Sequence, residues 1–130
     1  MILGIDTAKR EKIYLTLYSQ KVEKSWEFET ENQTNDILIA IKGILDNEKM
    51  TLKDLRAILI NQGPGSFTGT RIGVTVANTL GWSLNIPVYG YQEGQQAKIV
   101  AKIFKNPQSQ FSKLALPYYI YNLQFTIFNY

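Results

Sequence analysis

The sequence predicts an α/β fold: a mixed sheet with helices packed on it, in the order β-β-β-α-α-β-α-β. Three observations predict it. Two short apolar runs, Ile2-Leu3-Gly4-Ile5 and Ala57-Ile58-Leu59-Ile60, are continuous, as strands buried on both faces are. Lys12 to Tyr18 instead alternates, with Ile13, Leu15 and Leu17 on one side and Tyr14, Thr16 and Tyr18 on the other. Elsewhere apolar residues recur at spacings of three and four, which is the period of a helix.

In chain order, the first run ends at Asp6-Thr7, and the alternating strand follows. Lys21 to Phe28 is a weaker strand with Val22, Trp26 and Phe28 on one side; Ser19-Gln20 turns the pair into a hairpin. Thr34-Asn35-Asp36 starts a helix on which Ile37, Leu38, Ile41, Ile44 and Leu45 share a face. Ile39 falls off that face and is a candidate partner contact. Asp46-Asn47 end the helix, and Thr51 with Asp54 caps a short helical turn. The second buried run follows, then a glycine-rich loop and a helix to Leu84, stopped by Asn85 and Pro87. Val88 to Tyr91 is a short strand. Gln92 to Lys105 reads as a helix with Ala97, Val100, Ala101 and Phe104 inward and Lys98, Lys102 and Lys105 outward. Asn106-Pro107-Gln108-Ser109 breaks it. Leu114 to Tyr130 carries no formal charge, and Tyr119, Tyr121, Leu123, Phe125 and Ile127 alternate with Tyr118, Ile120, Asn122, Gln124 and Thr126. Such a strand is expected to pair with the domain's own sheet or with another chain.

The loop Asn61-Gln62-Gly63-Pro64-Gly65-Ser66-Phe67-Thr68-Gly69-Thr70-Arg71-Ile72-Gly73 is the strand-to-helix turn around which the chain is organised. Pro64 fixes its own φ, while Gly63, Gly65 and Gly69 accept positive φ or a close backbone neighbour. Thr68 or Thr70 is the expected cap of the helix. Exposed amides at its start make Gly63, Gly65, Ser66 and Thr68 a candidate anion-binding loop. It is not a P-loop. Counted from Gly63, Thr68 stands where glycine belongs and Gly69 where lysine belongs.

Along the helix, Gly69, Gly73, Ala77 and Gly81 recur every fourth residue. Each glycine there costs on the order of 1 kcal/mol relative to alanine, so something must come close to that stripe. It is either the protein's own sheet or a partner helix. The neighbouring stripe Ile72, Val76, Leu80 is expected to face the sheet.

At 130 residues, 45% hydrophobic and 19% charged, the chain is globular and long enough for one core. It has no cysteine and no histidine. That removes disulfides, thiolate zinc sites and the commonest general base. Ser66 therefore has no evident base to activate it as a nucleophile. No run is long enough to span a membrane, and the first residues lack the basic flank of a signal peptide, so a cytoplasmic protein without a membrane partner is expected. Residues 1–54 carry a net charge of −2 and residues 55–130 a net charge of +5. The charges are spread out and read as solubility rather than as a patch for nucleic acid.

The element order matches the first half of the actin-like, ribonuclease H-like core. The opening Ile2 to Thr7, the segment Thr51 to Leu55 and above all Gly63 to Gly73 resemble the TsaB family of tRNA threonylcarbamoyladenosine biosynthesis proteins. The likeness runs from Met1 to about Tyr91. It implies an actin-like N-terminal domain over 1–91 and a reduced C-terminal helix and strand over 92–130, with most of a second lobe missing. It also implies a non-catalytic scaffold that holds no cofactor, ATP or ADP and magnesium belonging to the assembled complex.

The implied partners are a TsaD-like catalytic subunit, bound through the N-terminal-domain helices, a TsaE-like ATPase, and tRNA through the complex alone. A homodimer on the same surface is also implied. The catalytic paralogue needs a histidine pair for metal, which this chain lacks. The expected interface residues are Ile39, Gly69, Arg71, Gly73, Ala77 and Gly81. The competing expectation is a small actin-like nucleotide-binding ATPase or acyl-transfer enzyme, with Asp6 holding a metal and the glycine loop a phosphate. Against it, Asp6 also reads as a turn residue at a strand end.

Overall fold

A computed structural model describes residues 1–105. The strand expected over Leu114 to Tyr130 lies outside the described residues. The elements are β1 (Ile2–Asp6), β2 (Lys12–Tyr18), β3 (Glu23–Glu29), α1 (Gln33–Asn47), β4 (Ala57–Asn61), α2 (Phe67–Leu84), β5 (Val88–Tyr91) and α3 (Gln96–Lys105). A 3-10 turn at Leu52–Asp54 precedes β4, and there Thr51 N donates to Asp54 Oδ2 at 2.8 Å, as the capping pattern predicts.

The sheet order is β3-β2-β1-β4-β5. β1 runs antiparallel to β2 and parallel to β4, and β4 runs parallel to β5. The hairpin closes over four residues, Ser19 N donating to Val22 O at 2.8 Å. The continuous runs of β1 and β4 are central and covered on both sides, which is why neither alternates. β2 shows the alternation read from its sequence, Ile13, Leu15 and Leu17 being buried.

One face of the sheet carries α1 and α2. Leu3, Ile5, Leu15, Ile58, Ile60 and Val88 meet Ile37, Ile41 and Val74 in one core. The other face carries α3, where Ile103 packs with Ile2, Ala57, Leu59, Tyr89 and Tyr91.

Several local expectations are corrected. α1 begins at Gln33, because Asn32 Oδ1 accepts from Asn35 N at 3.1 Å and so caps it one turn early. Leu38 is not core but 53% exposed. The cap of α2 is Ser66, not a threonine: Ser66 Oγ accepts from Gly69 N at 3.1 Å. Asn85 ends α2 in the left-handed conformation, as its sequence predicts. α3 starts at Gln96, and its inward face is Ile99, Val100, Ile103 and Phe104, with Ala97 and Ala101 outward. Large side chains bury more apolar area than alanines, so they set the rotation of the helix.

Candidate functional site

The glycine loop meets the β1–β2 loop, and each holds the other. Asp6 ends β1 with its Oδ1 accepting from Ala8 N at 2.9 Å, the local turn bond read from the sequence. Gly63 sits at φ +106, where its N donates to the buried Asn61 Oδ1 at 2.8 Å. Ser66 N donates to Ala8 O at 2.6 Å. Thr7 Oγ1 donates to Gly69 O, also at 2.6 Å. From the other side, Gln33 Nε2 donates to the carbonyls of Thr7, Lys9 and Lys12 at 3.2, 3.2 and 2.8 Å. The first helix, the second helix and the first strand end are thereby tied at one point.

That clasp decides two of the sequence expectations. The small stripe of α2 faces this chain, not a partner. A Cβ at Gly69 would collide with the Thr7 carbonyl oxygen, and one at Gly73 with Thr7 Oγ1 and Ile60. Ala77 is fully buried and Gly81 buried in the single chain. The glycines are there because the β1–β2 loop and β4 lie where side chains would be. Ile72, Val76 and Leu80, expected on the sheet, are only half-buried. The anion-cradle expectation is corrected in the same way. The amides of Gly63, Ser66 and Gly69 donate to Asn61 Oδ1, Ala8 O and Ser66 Oγ. A Cβ at Gly65 would stand 2.6 Å from Ala8 O, so chain occupies the space a phosphate would need. Thr68 is exposed at the first turn of α2.

Beside the clasp, a cavity of about 560 Å³ opens among Arg10, Glu31, Gln33, Ser66, Phe67 and Ile72. Its rim mixes one guanidinium with the carboxylates of Glu11 and Glu31, a poor match to an anion. Among the described residues, no group of three or more His, Cys, Asp or Glu is assembled around a point. On the α3 face, Asp6 lies near two phenols. Burial raises the pKa of Tyr91, and the charges of Asp6 and Tyr18 raise it further. Burial likewise raises Tyr18, with Glu23 and Asp6 adding to it.

The outward face of α1 and α2 differs from the clasp. Ile39 is 70% exposed, as expected of a partner contact. Leu38, Phe67 and Trp82 are also exposed, the last at 68%. Arg71 is exposed and stacks on the Phe67 ring at 5.1 Å from its centroid. Sequence reasoning missed Leu38, Phe67 and Trp82. The signal was present: at 100° per residue, Trp82 falls nearly opposite Gly73 on α2. Once the glycine stripe is placed on the sheet, Arg71 and Trp82 must point outward.

The sequence model of the family described as "TsaD: tRNA N6-adenosine threonylcarbamoyltransferase" matches residues 27–112. The chain belongs to this family. Within it, the curated relatives are of the TsaB kind. The TsaB protein of Buchnera aphidicola subsp. Schizaphis graminum is 41% identical over 91 residues, covering 69% of this chain and 43% of that one. The TsaB protein of Bacillus subtilis is 37% identical over 95 residues, covering 67% and 38%. Among solved structures, YeaZ from Pseudomonas aeruginosa superposes with a TM-score of 0.65 at 27% identity, covering 70% of this chain and 44% of that one. The chain spans less than half the length of these relatives. The actin-like, ribonuclease H-like α/β fold predicted from the element order is the fold of this TsaB-family chain.

Proposed function

We propose that this chain serves tRNA threonylcarbamoyladenosine modification as a TsaB-type subunit without catalysis of its own. In this reading it docks a TsaD-like catalytic partner, in the cytoplasm, on the outward face of α1 and α2. The observation that carries the proposal is the exposure of four large apolar side chains, Leu38, Ile39, Phe67 and Trp82, on those two helices of a family member. Exposed aromatic and aliphatic anchors of this kind dominate the energy of protein interfaces. Arg71, held over Phe67, adds a preorganised cation at the same face.

The scaffold reading divides the work simply. The partner supplies the reacting groups, and this chain supplies a rigid surface braced from behind by the clasp at Thr7. No histidine or cysteine is available here for acid–base or nucleophilic chemistry. Contact with tRNA and with a TsaE-like ATPase then runs through the complex, as do ATP or ADP and magnesium.

The test is co-purification with the TsaD-like protein of the same source, followed by titration. Trp82→Glu and Ile39→Glu should each weaken the complex about ten- to a hundred-fold, while circular dichroism stays that of the parent. Binding at parental strength by both variants would overturn the interface. Concentration-dependent self-association lost in the same variants would assign the face to a second copy. Magnesium-dependent ATP turnover that vanishes in Asp6→Ala would overturn the non-catalytic part and favour the small-ATPase reading.

A further inference from the structure

We propose that residues 114–130 of this chain add as a strand to the outer edge of β3 and fill the apolar groove between β3 and α1. β3 ends the sheet, and among the described residues only β2 pairs with it. Beside this edge lies a groove of about 500 Å³, walled by Trp26 and Phe28 of β3 and by Ile39, Ala40 and Gly43 of α1. Gly43 helps to make it. A glycine in the middle of a helix costs on the order of 1 kcal/mol, and those of α2 are explained by close neighbours. At Gly43 an added Cβ would meet nothing within 4 Å. The described chain leaves room there and does not use it.

The occupant is identified by pattern, charge and reach. Tyr119, Tyr121, Leu123, Phe125 and Ile127 form one face of an alternating, uncharged stretch. Added beside β3, alternate side chains fall on the side of Trp26 and Phe28, which is the apolar side. The exposed face of β3 carries Glu23, Glu27 and Glu29, and neutral Asn122, Gln124 and Thr126 would lie beside it without charge repulsion.

The route is short. The Phe104 ring lies under the Arg56 guanidinium at 5.6 Å, so the described chain leaves the fold beside the start of β4. The register aligns Ala57, Ile2, Tyr18 and Glu23 in one row across the sheet, so β3 begins at that same end. Three strand spacings separate β4 from β3, about 14 Å. Residues 106–113 reach up to about 26 Å when extended. The added strand then runs from the Glu23 end towards Glu29, parallel to β3.

The test uses the full chain at low concentration, with no partner present. Amide hydrogen exchange is followed at β3, and the emission of Trp26 is read in a Trp82→Phe background. In the parent, the outward amides of β3 should exchange about ten-fold or more slowly than free amides, and Trp26 should emit as a buried indole. Leu123→Asp with Phe125→Asp should release that protection and shift the emission to the red. The amides of Leu3 and Ile58 should stay protected, which separates undocking from unfolding. Outward amides that exchange at the free rate in the parent would overturn the proposal. So would protection that the double variant leaves intact. Protection lost on dilution would overturn it too, in favour of a second copy. None of these readouts depends on a TsaD-like partner, so the proposal stands or falls apart from the interface on α1 and α2.

Discussion

The two faces of the sheet are built on different principles. The face under α1 and α2 is aliphatic and interlocked. Branched side chains of β1, β2 and β4 meet both helices, and the clasp at Thr7 fixes how α2 lies. The face under α3 is aromatic and partly covered. One helix lies over β4 and β5, Ile103 is its buried residue, and Tyr18, Tyr89 and Tyr91 share the space. Beyond α3 that face is dressed with polar pairs, Thr16 with Ser25 and Lys12 with Glu27 and Glu29. The difference teaches where this fold is rigid. A surface meant to present two helices to a partner needs the interlocked side behind it.

The largest expected effect comes from breaking the clasp. Gly69→Leu places a side chain where the Thr7 carbonyl lies, and the obstacle is backbone rather than a flexible tip. Overpacking typically costs about 1–3 kcal/mol and more where backbone must move. A small domain has only about 5–15 kcal/mol to lose, so Gly69→Leu should yield little folded protein. Gly43→Ala, at the open position of α1, should instead stabilise by about 0.5–1 kcal/mol. Thermal unfolding by circular dichroism checks both. A Gly69→Leu protein that melts with the parent would show that α2 slides freely, and the rigid-face argument would fall.

The second comparison removes one buried isoleucine from each face. Ile41→Ala empties part of the interlocked core and should cost about 2–5 kcal/mol, seen as a loss of global stability. Ile103→Ala should act mostly on α3. Its amides should lose protection while those of β1 and β4 keep theirs, because α3 is held by a single fully buried side chain. Equal loss of protection throughout the sheet in Ile103→Ala would show that the two faces unfold as one.

What was legible in the sequence follows the same division. β1 and β4 were legible because a continuous apolar run between turn residues has few other homes. The hairpin was legible from its alternation, and the end of α2 from Asn85 and Pro87. The spacing of Gly69, Gly73, Ala77 and Gly81 announced a close neighbour but could not name it. The neighbour is Thr7, 62 residues away in the chain, and local periodicity carries no information over that distance. The candidate interface was misplaced for the same reason. Once the glycines were assigned outward, Trp82 had no role, whereas the folded chain buries the glycines and exposes the tryptophan. α3 was rotated because alanine and isoleucine were weighted alike. Ile39 and Arg71 stood correctly on the outside because each breaks the apolar spacing of its own helix.

The smallest effect expected is silent at neutral pH and sharpens the comparison from the aromatic side. Burial raises the pKa of Tyr91, Tyr89 and Tyr18 above the ordinary 10.0, because a phenolate loses hydration there. The folded chain therefore holds these protons more tightly than the unfolded chain does. Loss of protons favours unfolding, so the stability is fully present below 10.0 and declines as pH rises through the folded values. Spectrophotometric titration should show phenols that ionise late and together with unfolding. The aliphatic face has no group that titrates in this range, so the first amides to lose protection should be those of α3 and β5. Tyr91→Phe should lessen the alkaline loss while leaving stability near neutral pH within about 1 kcal/mol of the parent, one hydroxyl being all that is removed. If Tyr91→Phe loses stability at high pH as steeply as the parent, the buried phenol is not what loosens this face. The aromatic half of the sheet would then owe its weaker hold to the single helix above it.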